Sequence, residues 1–179
     1  MTDFTLHTLE SAPEAAKPLL KKSQQDFGMI PNLHAVMAES PEALEAYQQL
    51  HRLFTQSSLN KDELTVVWQT INRAHNCHYC LPAHSLVAQM MGVNSELNDD
   101  VKNGKVLANA KLETLRVTTL AMVEQRGNLS AEQTEAFYQA GYSNQDMLAI
   151  ILGMAQKVMS NFTNHIANTP VDDAFKKYI

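Results

Sequence analysis

Residues 75–84 read HNCHYCLPAH, and they contain both cysteines of the chain and three of its seven histidines. Pro82 is tolerated in a helix only in the first turn, where its missing N–H has no intrahelical acceptor. We therefore expect a helix to begin between positions 77 and 81. Three side chains spaced i, i+3 and i+7 then share one face of that helix: Cys77, Cys80 and His84.

The position of Cys80 at a helix N-terminus favours a thiolate. Unpaired N–H groups and the positive end of the helix dipole stabilise an anion there, which lowers a thiol pKa from its ordinary value of about 8.5. Such a thiolate can attack a peroxide oxygen to give a sulfenic acid, which Cys77 converts into a disulfide. His84, one turn from Cys80, is then the predicted proton donor or acceptor.

Two other interpretations of the motif stay open. Cys77 and Cys80 can be small hydrophobic side chains of the core, beside a hydrogen-bonded histidine. Alternatively, the motif forms a zinc-binding helical module in which His75 or His78 joins the two cysteines and His84, although structural zinc sites usually take their second ligand pair from a distant segment. Haem attachment is excluded because no histidine directly follows the second cysteine, and a thioredoxin-like domain is excluded because no βαβ pattern surrounds the motif.

Capping residues, stop signals and the spacing of apolar side chains predict helices along the rest of the chain, and no alternating strand pattern is present. We therefore predict an all-α helical bundle, with residues 1–10 as an N-terminal arm and residues 11–179 as a single domain. Ser11 and Glu14 have the spacing of a capping box for the first helix. The predicted helices span residues 18–27, a short turn after Pro31, 41–56, 61–74, the cysteine helix to Met91, 95–102, a longer helix ending at Gly127, 130–141 and 143–167.

Composition excludes several classes of function. Of the 179 residues, 45% are hydrophobic and 18% are charged, which is typical of a globular domain. The net charge of −5 argues against nucleic-acid binding. The longest apolar run, residues 147–155, is far shorter than the roughly 20 residues of a membrane span, and the first residues do not resemble a secretory signal. We expect a cytoplasmic protein that needs no cofactor and binds neither membrane nor nucleic acid.

The segment 63–85, ELTVVWQTINRAHNCHYCLPAHS, resembles the AhpD-like branch of the carboxymuconolactone decarboxylase family, whose mark is C-x-x-C-x-x-x-H after a helix. Residues 30–34 (IPNLH), the pair Ser40-Pro41 and the tail 160–170 (SNFTNHIANTP) resemble its peroxidase-related members. The resemblance implies an AhpD-like helical fold and reduction of hydroperoxides by an antioxidant alkylhydroperoxidase. It also implies a thiol or dithiol reductant, such as a lipoyl group, a thioredoxin-like protein or a peroxiredoxin.

The resemblance assigns roles to three residues of the motif. Cys80 matches the cysteine that attacks the peroxide, Cys77 its disulfide partner and His84 the histidine of the proton relay. Many members place a glutamate of that relay twelve residues before the first cysteine, where this chain has Thr65. Glu63 is about 200° away around the helix axis and cannot replace it. The family's other branch implies a different reaction, decarboxylation of a small lactone, which does not need the cysteines.

Other features are predicted to be structural. The nine methionines are expected to fill gaps in the core. In the last predicted helix, a polar stripe at helical spacing is expected to face solvent or another subunit. The stripe comprises Asn161, Asn164, His165 and Asn168.

The apolar helix faces are broad and the arm has few residues to anchor it on its own protomer, so we expect a homo-oligomer. The family resemblance implies a trimer or a hexamer.

Overall fold

The computed structural model describes residues 4–179, and within that range the secondary structure is helical, with no strand. The predicted all-α fold is confirmed. The helices are α1 (Lys17–Phe27), α2 (Asn32–Met37), α3 (Pro41–Thr55), α4 (Lys61–Ala74), α5 (Cys80–Met90), α6 (Ser95–Asn103), α7 (Ala110–Glu124), α8 (Ala131–Gln139), α9 (Asn144–Ala167) and a 3₁₀ helix (Asp173–Tyr178).

Helices α3, α4, α8 and α9 begin directly after a capping residue whose side chain accepts a backbone N–H of the first turn: Ser40, Asn60, Ser130 and Ser143. Asn60 accepts the N–H of Glu63 while the Glu63 carboxylate accepts the N–H of Asn60, and the same reciprocal box opens α8 and α9. The box predicted at Ser11 is wrong, because its hydroxyl accepts the N–H of Thr8 at 2.9 Å and α1 begins only at Lys17. The 3₁₀ helix near the C-terminus was not predicted.

Helix α4 lies at the centre of the bundle, where it packs against α5, α6, α7 and α9. Helix α9 also packs against α3, and Gly153 is the point of close approach. A Cβ atom at Gly153 would lie 2.8 Å from Cε2 of Phe54 and 3.1 Å from Cγ1 of Val67. The absence of a side chain at this position therefore lets α9 approach α3 and α4 closely, which brings the second half of α9 towards the cysteines.

The core divides into two clusters of buried apolar residues. The larger cluster lies mainly between α3, α4, α7, α8 and α9 and includes Phe54 and Trp68. The second joins the N-terminal segment, α1, α2, α3, α5 and Phe175, and both Cys77 and Cys80 belong to it. The cysteines are therefore surrounded by apolar packing on the side away from α9.

Both ends of the described range, residues 4–179, contact the part of the fold that holds this second cluster. His7 donates its backbone N–H to the carbonyl of Ala35 at 3.2 Å, and its Nε2 lies 2.8 Å from the Glu39 carboxylate. Within residues 4–10 the arm is thus attached to its own protomer mainly at His7, and residues 1–3 of the arm lie outside the described range. At the other end, the Tyr79 hydroxyl donates to the Asp172 carboxylate at 2.5 Å.

Within residues 4–179, no helix combines the length and the apolar character needed to cross a bilayer.

Candidate active site

The chain reverses direction between α4 and α5, and this turn positions the two cysteines. Asn76 adopts a left-handed conformation with φ of 51°, and α5 begins at Cys80, as the position of Pro82 predicted. Cys77 therefore precedes the helix instead of lying on it. The backbone N–H of Cys80 donates to Cys77 Sγ at 3.3 Å. This N–H group of the first turn of α5 therefore stabilises negative charge on Cys77 Sγ and not on Cys80 Sγ.

Cys80 is nevertheless the more acidic thiol. Burial alone would raise its pKa, but a hydrogen bond from the Cys77 thiol, the charge of Lys157 and hydrogen bonds from Asn164 and Asn161 together lower it to about 5. The pKa of Cys77 is raised by its hydrogen bond to Cys80, by burial and by the charge of Cys80. Both cysteines are free, and the pair shares one proton that stays on Cys77.

Lys157 brings a positive charge into this site. Its side chain is fully buried, and Nζ lies 2.8 Å from His84 Nε2. Burial lowers the pKa of Lys157, while the charges of Cys80 and Cys77 oppose that effect. The pKa of His84 lies well below its ordinary value because of burial, the Lys157 charge and His51. His84 is therefore a neutral imidazole at pH 7, with the Lys157 amine within hydrogen-bonding distance of its Nε2.

Helix α9 contributes a buried polar face. Its fully buried polar residues recur at helical spacing: Gln156, Lys157, Ser160, Asn161 and Asn164. Asn164 donates to Cys80 Sγ at 3.2 Å, and Asn161 contacts His75 Nδ1 at 2.8 Å. The prediction that this stripe faces solvent or a subunit is wrong for Asn161 and Asn164, which are buried and contact the cysteine loop. His165 and Asn168 are exposed.

The residues near the expected relay position of α4 make contacts of other kinds. The Thr65 hydroxyl donates to the carbonyl of Lys61 at 2.9 Å, and the Glu63 carboxylate caps its own helix. Gln69 donates to Asn98 at 2.9 Å. The side chain within hydrogen-bonding distance of His84 is thus a lysine from α9 and not a carboxylate from α4.

The histidines proposed as zinc ligands have other partners. His75 contacts Asn161, and His78 Nε2 lies 2.9 Å from the carbonyl oxygen of Thr169. In the part of the chain that the structure describes, no three His, Cys, Asp or Glu side chains are grouped to hold a metal ion. The four-ligand set of a zinc module is therefore not assembled here.

A cavity of about 340 Å³ lies above Cys80. Cys80, His84 and Lys157 line it, whereas Cys77 does not. Most of the remaining wall is apolar or aromatic and includes Phe27, Met29, Leu33, Tyr47, Leu86 and Phe175. Three of its exposed lining residues are charged, and they belong to α1 and α3: Lys22, Asp26 and Arg52.

Two further histidines in the cavity wall are neutral. Burial, with a smaller contribution from the charge of His51, lowers the pKa of His34 to about 3. Burial and the charge of Lys157 lower the pKa of His51 to about 4. Lys157 is consequently the one buried cation among the described residues that line this cavity.

Sequence reasoning identified Cys77, Cys80 and His84 but missed Lys157 and the histidines of the wall. A signal for Lys157 is present in the sequence, because it closely follows the apolar run 147–155 and occupies the same helical face as Ser160 and Asn164. His34 in α2 and His51 in α3 carry no comparable signal. The sequence does not show that these two helices lie beside α5 and so place both histidines in the cavity wall.

Neither a protein-family profile nor a curated protein matches the chain. Solved structures do match. One is an uncharacterized peroxidase-related protein from Ralstonia eutropha, described as an alkylhydroperoxidase AhpD core, with a TM-score of 0.85 and 18% identity, covering 98% of this chain and 96% of that one. A peroxidase-related protein from a Silicibacter species has a TM-score of 0.82 and 18% identity, with the same coverage.

A third match is the debrominase Bmp8, solved as a cysteine-to-alanine variant in complex with 2,3,4-tribromopyrrole. Its TM-score is 0.83 at 17% identity, and the match covers 99% of this chain and 96% of that one. At this level of identity the likeness establishes the fold. The chain has the AhpD-like fold over nearly its whole length, as the family resemblance implied.

Proposed function

We propose that this protein, which has the AhpD-like fold, is a thiol-dependent peroxidase that reduces an organic hydroperoxide through Cys80 and Cys77. One observation carries the proposal. Cys80 combines a lowered pKa with a place in the cavity wall, whereas Cys77 has a raised pKa and lies outside the cavity. An attacking thiolate needs access to its substrate, and a resolving thiol needs access only to the first sulfur.

The reaction then proceeds in two steps. The Cys80 thiolate attacks the outer peroxide oxygen, so that an S–O bond forms, the O–O bond breaks and the substrate leaves as an alkoxide that takes up a proton. The Cys77 thiol next attacks the sulfenic acid on Cys80, which gives the Cys77–Cys80 disulfide and water. A dithiol reductant, such as a lipoyl group, a thioredoxin-like protein or a peroxiredoxin, returns two electrons and two protons by thiol–disulfide exchange.

The cavity wall favours a substrate with an apolar body. Its volume of about 340 Å³ and its aromatic and aliphatic lining suit an organic hydroperoxide better than hydrogen peroxide, which gains nothing from apolar contacts.

The proposal includes a homo-oligomer, a trimer or hexamer. The outer face of α9 supports an interface because it carries exposed apolar side chains at helical spacing: Leu148, Ile151, Val158, Phe162 and Ile166.

The experiment is a thiol titration of the reduced, metal-free protein before and after one equivalent of cumene hydroperoxide. We expect two thiols to disappear and mass spectrometry to show a Cys77–Cys80 disulfide. The variant with both cysteines replaced by serine should consume no peroxide. Two free thiols remaining in the wild type after peroxide exposure would show that the proposed reaction is wrong.

Reductive dehalogenation is a second candidate, favoured by the fold shared with the debrominase Bmp8 and by the apolar cavity above a thiolate. The same dithiol would supply two electrons, so that an aryl C–Br bond is replaced by a C–H bond. Bromide and a proton would be released, and the Cys77–Cys80 disulfide would form. Bromide release from 2,3,4-tribromopyrrole by the reduced protein, in the absence of any activity towards cumene hydroperoxide, would favour this reaction over peroxide reduction.

A further inference from the structure

The ammonium group of Lys157 has no carboxylate counter-ion. Its side chain is fully buried, and in residues 4–179 no Asp or Glu oxygen lies within ion-pair distance of its Nζ. The negative charge that acts on it comes from the cysteine pair, with Cys80 as the largest contributor. A buried cation is tolerated when a charge of opposite sign compensates for its lost hydration. The thiolate therefore holds Lys157 in its charged form.

Oxidation removes that compensation. A Cys77–Cys80 disulfide carries no charge, while the burial of Lys157 stays the same. An ammonium group in a desolvated site without a counter-ion loses its proton readily, because only the neutral amine avoids the cost of dehydration. The protonation of Lys157 is thus coupled to the redox state of the cysteines.

We propose that Lys157 carries the proton of the redox cycle, as an ammonium group in the dithiol state and as a neutral amine in the disulfide state, and that His84 passes this proton to the leaving alkoxide. The inference deepens the proposed function and rests on its dithiol–disulfide cycle. Lys157 acts on the substrate through His84, and it fills the place in the relay for which α4 offers only Thr65.

The contact between Lys157 and His84 provides the path. A protonated lysine has three donors and no acceptor, so the 2.8 Å contact requires the lone pair of His84 Nε2 to accept. The hydrogen of the neutral His84 ring is then on Nδ1, a buried atom with no hydrogen-bond partner among the described residues. His84 lines the cavity and so connects Lys157 to the space in which the alkoxide forms, with Nε2 as the atom that takes the proton of Lys157.

The protons balance over the cycle. In the dithiol state one proton is on Cys77 and one on Lys157. The alkoxide removes the Lys157 proton through His84, and the water formed with the disulfide contains the Cys77 proton. The incoming dithiol restores both, one to each residue, together with two electrons. The protein therefore exchanges two electrons and two protons with its surroundings, although only one of its cysteines is protonated.

Other titratable groups around Lys157 do not obscure this coupling near neutral pH. Buried groups come from α2, α3, α5 and the loop before α5: His34, Tyr47, His51, Cys77, Cys80 and His84. The pKa of each histidine is lowered, to about 3 for His34 and about 4 for His51, and burial raises the pKa of Tyr47. The exposed charged side chains that line the cavity are Lys22, Asp26 and Arg52.

The test is the reduction potential of the Cys77–Cys80 disulfide in dithiothreitol redox buffers between about pH 6 and about pH 8. If Lys157 loses its proton on oxidation, two protons accompany two electrons. The equilibrium constant of the protein's own half-reaction then changes about hundredfold per pH unit, so its reduction potential shifts by about 59 mV per pH unit. If Lys157 stays charged, one proton is exchanged, the change is about tenfold, and the slope is about 30 mV.

Lys157→Arg is the matched variant, because a guanidinium keeps its charge in both redox states. We expect it to retain the low Cys80 pKa but to show the slope of about 30 mV per pH unit. A wild-type slope of about 30 mV overturns the inference and leaves the dithiol cycle standing. Two protonated thiols would also give a slope of about 59 mV, so, should the arginine variant not fold, the wild-type slope decides together with an alkylation profile that shows Cys80 to be a thiolate over the same pH range. Failure of the disulfide to form contradicts both proposals, whereas a slope of about 59 mV without peroxide turnover contradicts only the proposed function.

Discussion

Asn164 Nδ2 lies 3.2 Å from Cys80 Sγ, although 84 residues separate them in the chain. The contact shows that the last long helix completes the environment of the cysteine motif. Cys80 lies in an apolar cluster, where a thiolate without partners would be costly. A hydrogen bond from a buried amide and the nearby Lys157 charge make the anion acceptable at this position.

We predict that Asn164→Ala raises the pKa of Cys80 and slows its alkylation near neutral pH. A hydrogen bond to a charged group contributes about 1.5–3 kcal/mol, which corresponds to about 1–2 pKa units. The measurement is the rate of iodoacetamide modification of Cys80 as a function of pH. His165→Ala is the matched control, because His165 is the next residue but is exposed, and it should leave the rate unchanged. Equal pH dependences in the two variants would contradict the assigned role.

We predict that alkylation of the reduced wild type is selective for Cys80. Its rate should rise with a midpoint near pH 5, since the pKa of Cys80 is lowered to about 5, whereas Cys77 should stay unmodified because its pKa is raised. Peptide mapping after brief iodoacetamide treatment at about pH 7 distinguishes the two positions. A midpoint close to the ordinary thiol value of about 8.5 would show that the thiolate is not stabilised.

Gly153→Ala is predicted to destabilise the fold. The new Cβ would lie 2.8 Å from Phe54 Cε2, so α9 must move away from α3 or the phenyl ring must move. Overpacking of this kind costs about 1–3 kcal/mol. Urea denaturation followed by circular dichroism measures the loss, and Ala155→Gly, an exposed change in the same helix, reports the helix-propensity effect alone. A Gly153→Ala variant that is more stable than the wild type by about the amount that Ala155→Gly loses would contradict the close approach of α9.

We predict that acid destabilises the protein through His51. Its folded-state pKa is about 4, below the ordinary value of 6.5, so the unfolded chain binds the proton first. This contribution to stability is fully present above about pH 6.5 and is lost as the pH falls towards about 4, amounting to about 3 kcal/mol. Urea midpoints across this range should fall less in His51→Gln, which cannot titrate, than in the exposed control His165→Gln. Parallel curves for the two variants would exclude this role of His51.

Local signals in the sequence were enough for the fold. Capping boxes such as Asn60–Glu63, the proline at position 82 and the positive-φ glycines after α1 and α6 locate helix ends through interactions within a few residues. Those signals also placed Cys80 at the start of α5.

The site was predicted less completely, because its electrostatics depend on contacts between distant segments. Lys157 meets His84 across 73 residues, and the stripe of Asn161 and Asn164 faces the cysteines only because α9 packs closely at Gly153. The dipole argument predicted an acidic Cys80 but named an incomplete cause, since the first N–H of α5 donates to Cys77. Periodicity identifies a polar face but does not say what covers it.

The most direct test of the central claim, that Cys80 is the residue that attacks the peroxide, is to map the sulfenic acid in the single-cysteine variants. Cys77→Ser and Cys80→Ser, both reduced, are treated with one equivalent of cumene hydroperoxide in the presence of dimedone and analysed by peptide mass spectrometry. We predict a dimedone adduct on Cys80 in the Cys77→Ser variant and none on Cys77 in the Cys80→Ser variant. An adduct on Cys77 with Cys80 unmodified would contradict the account.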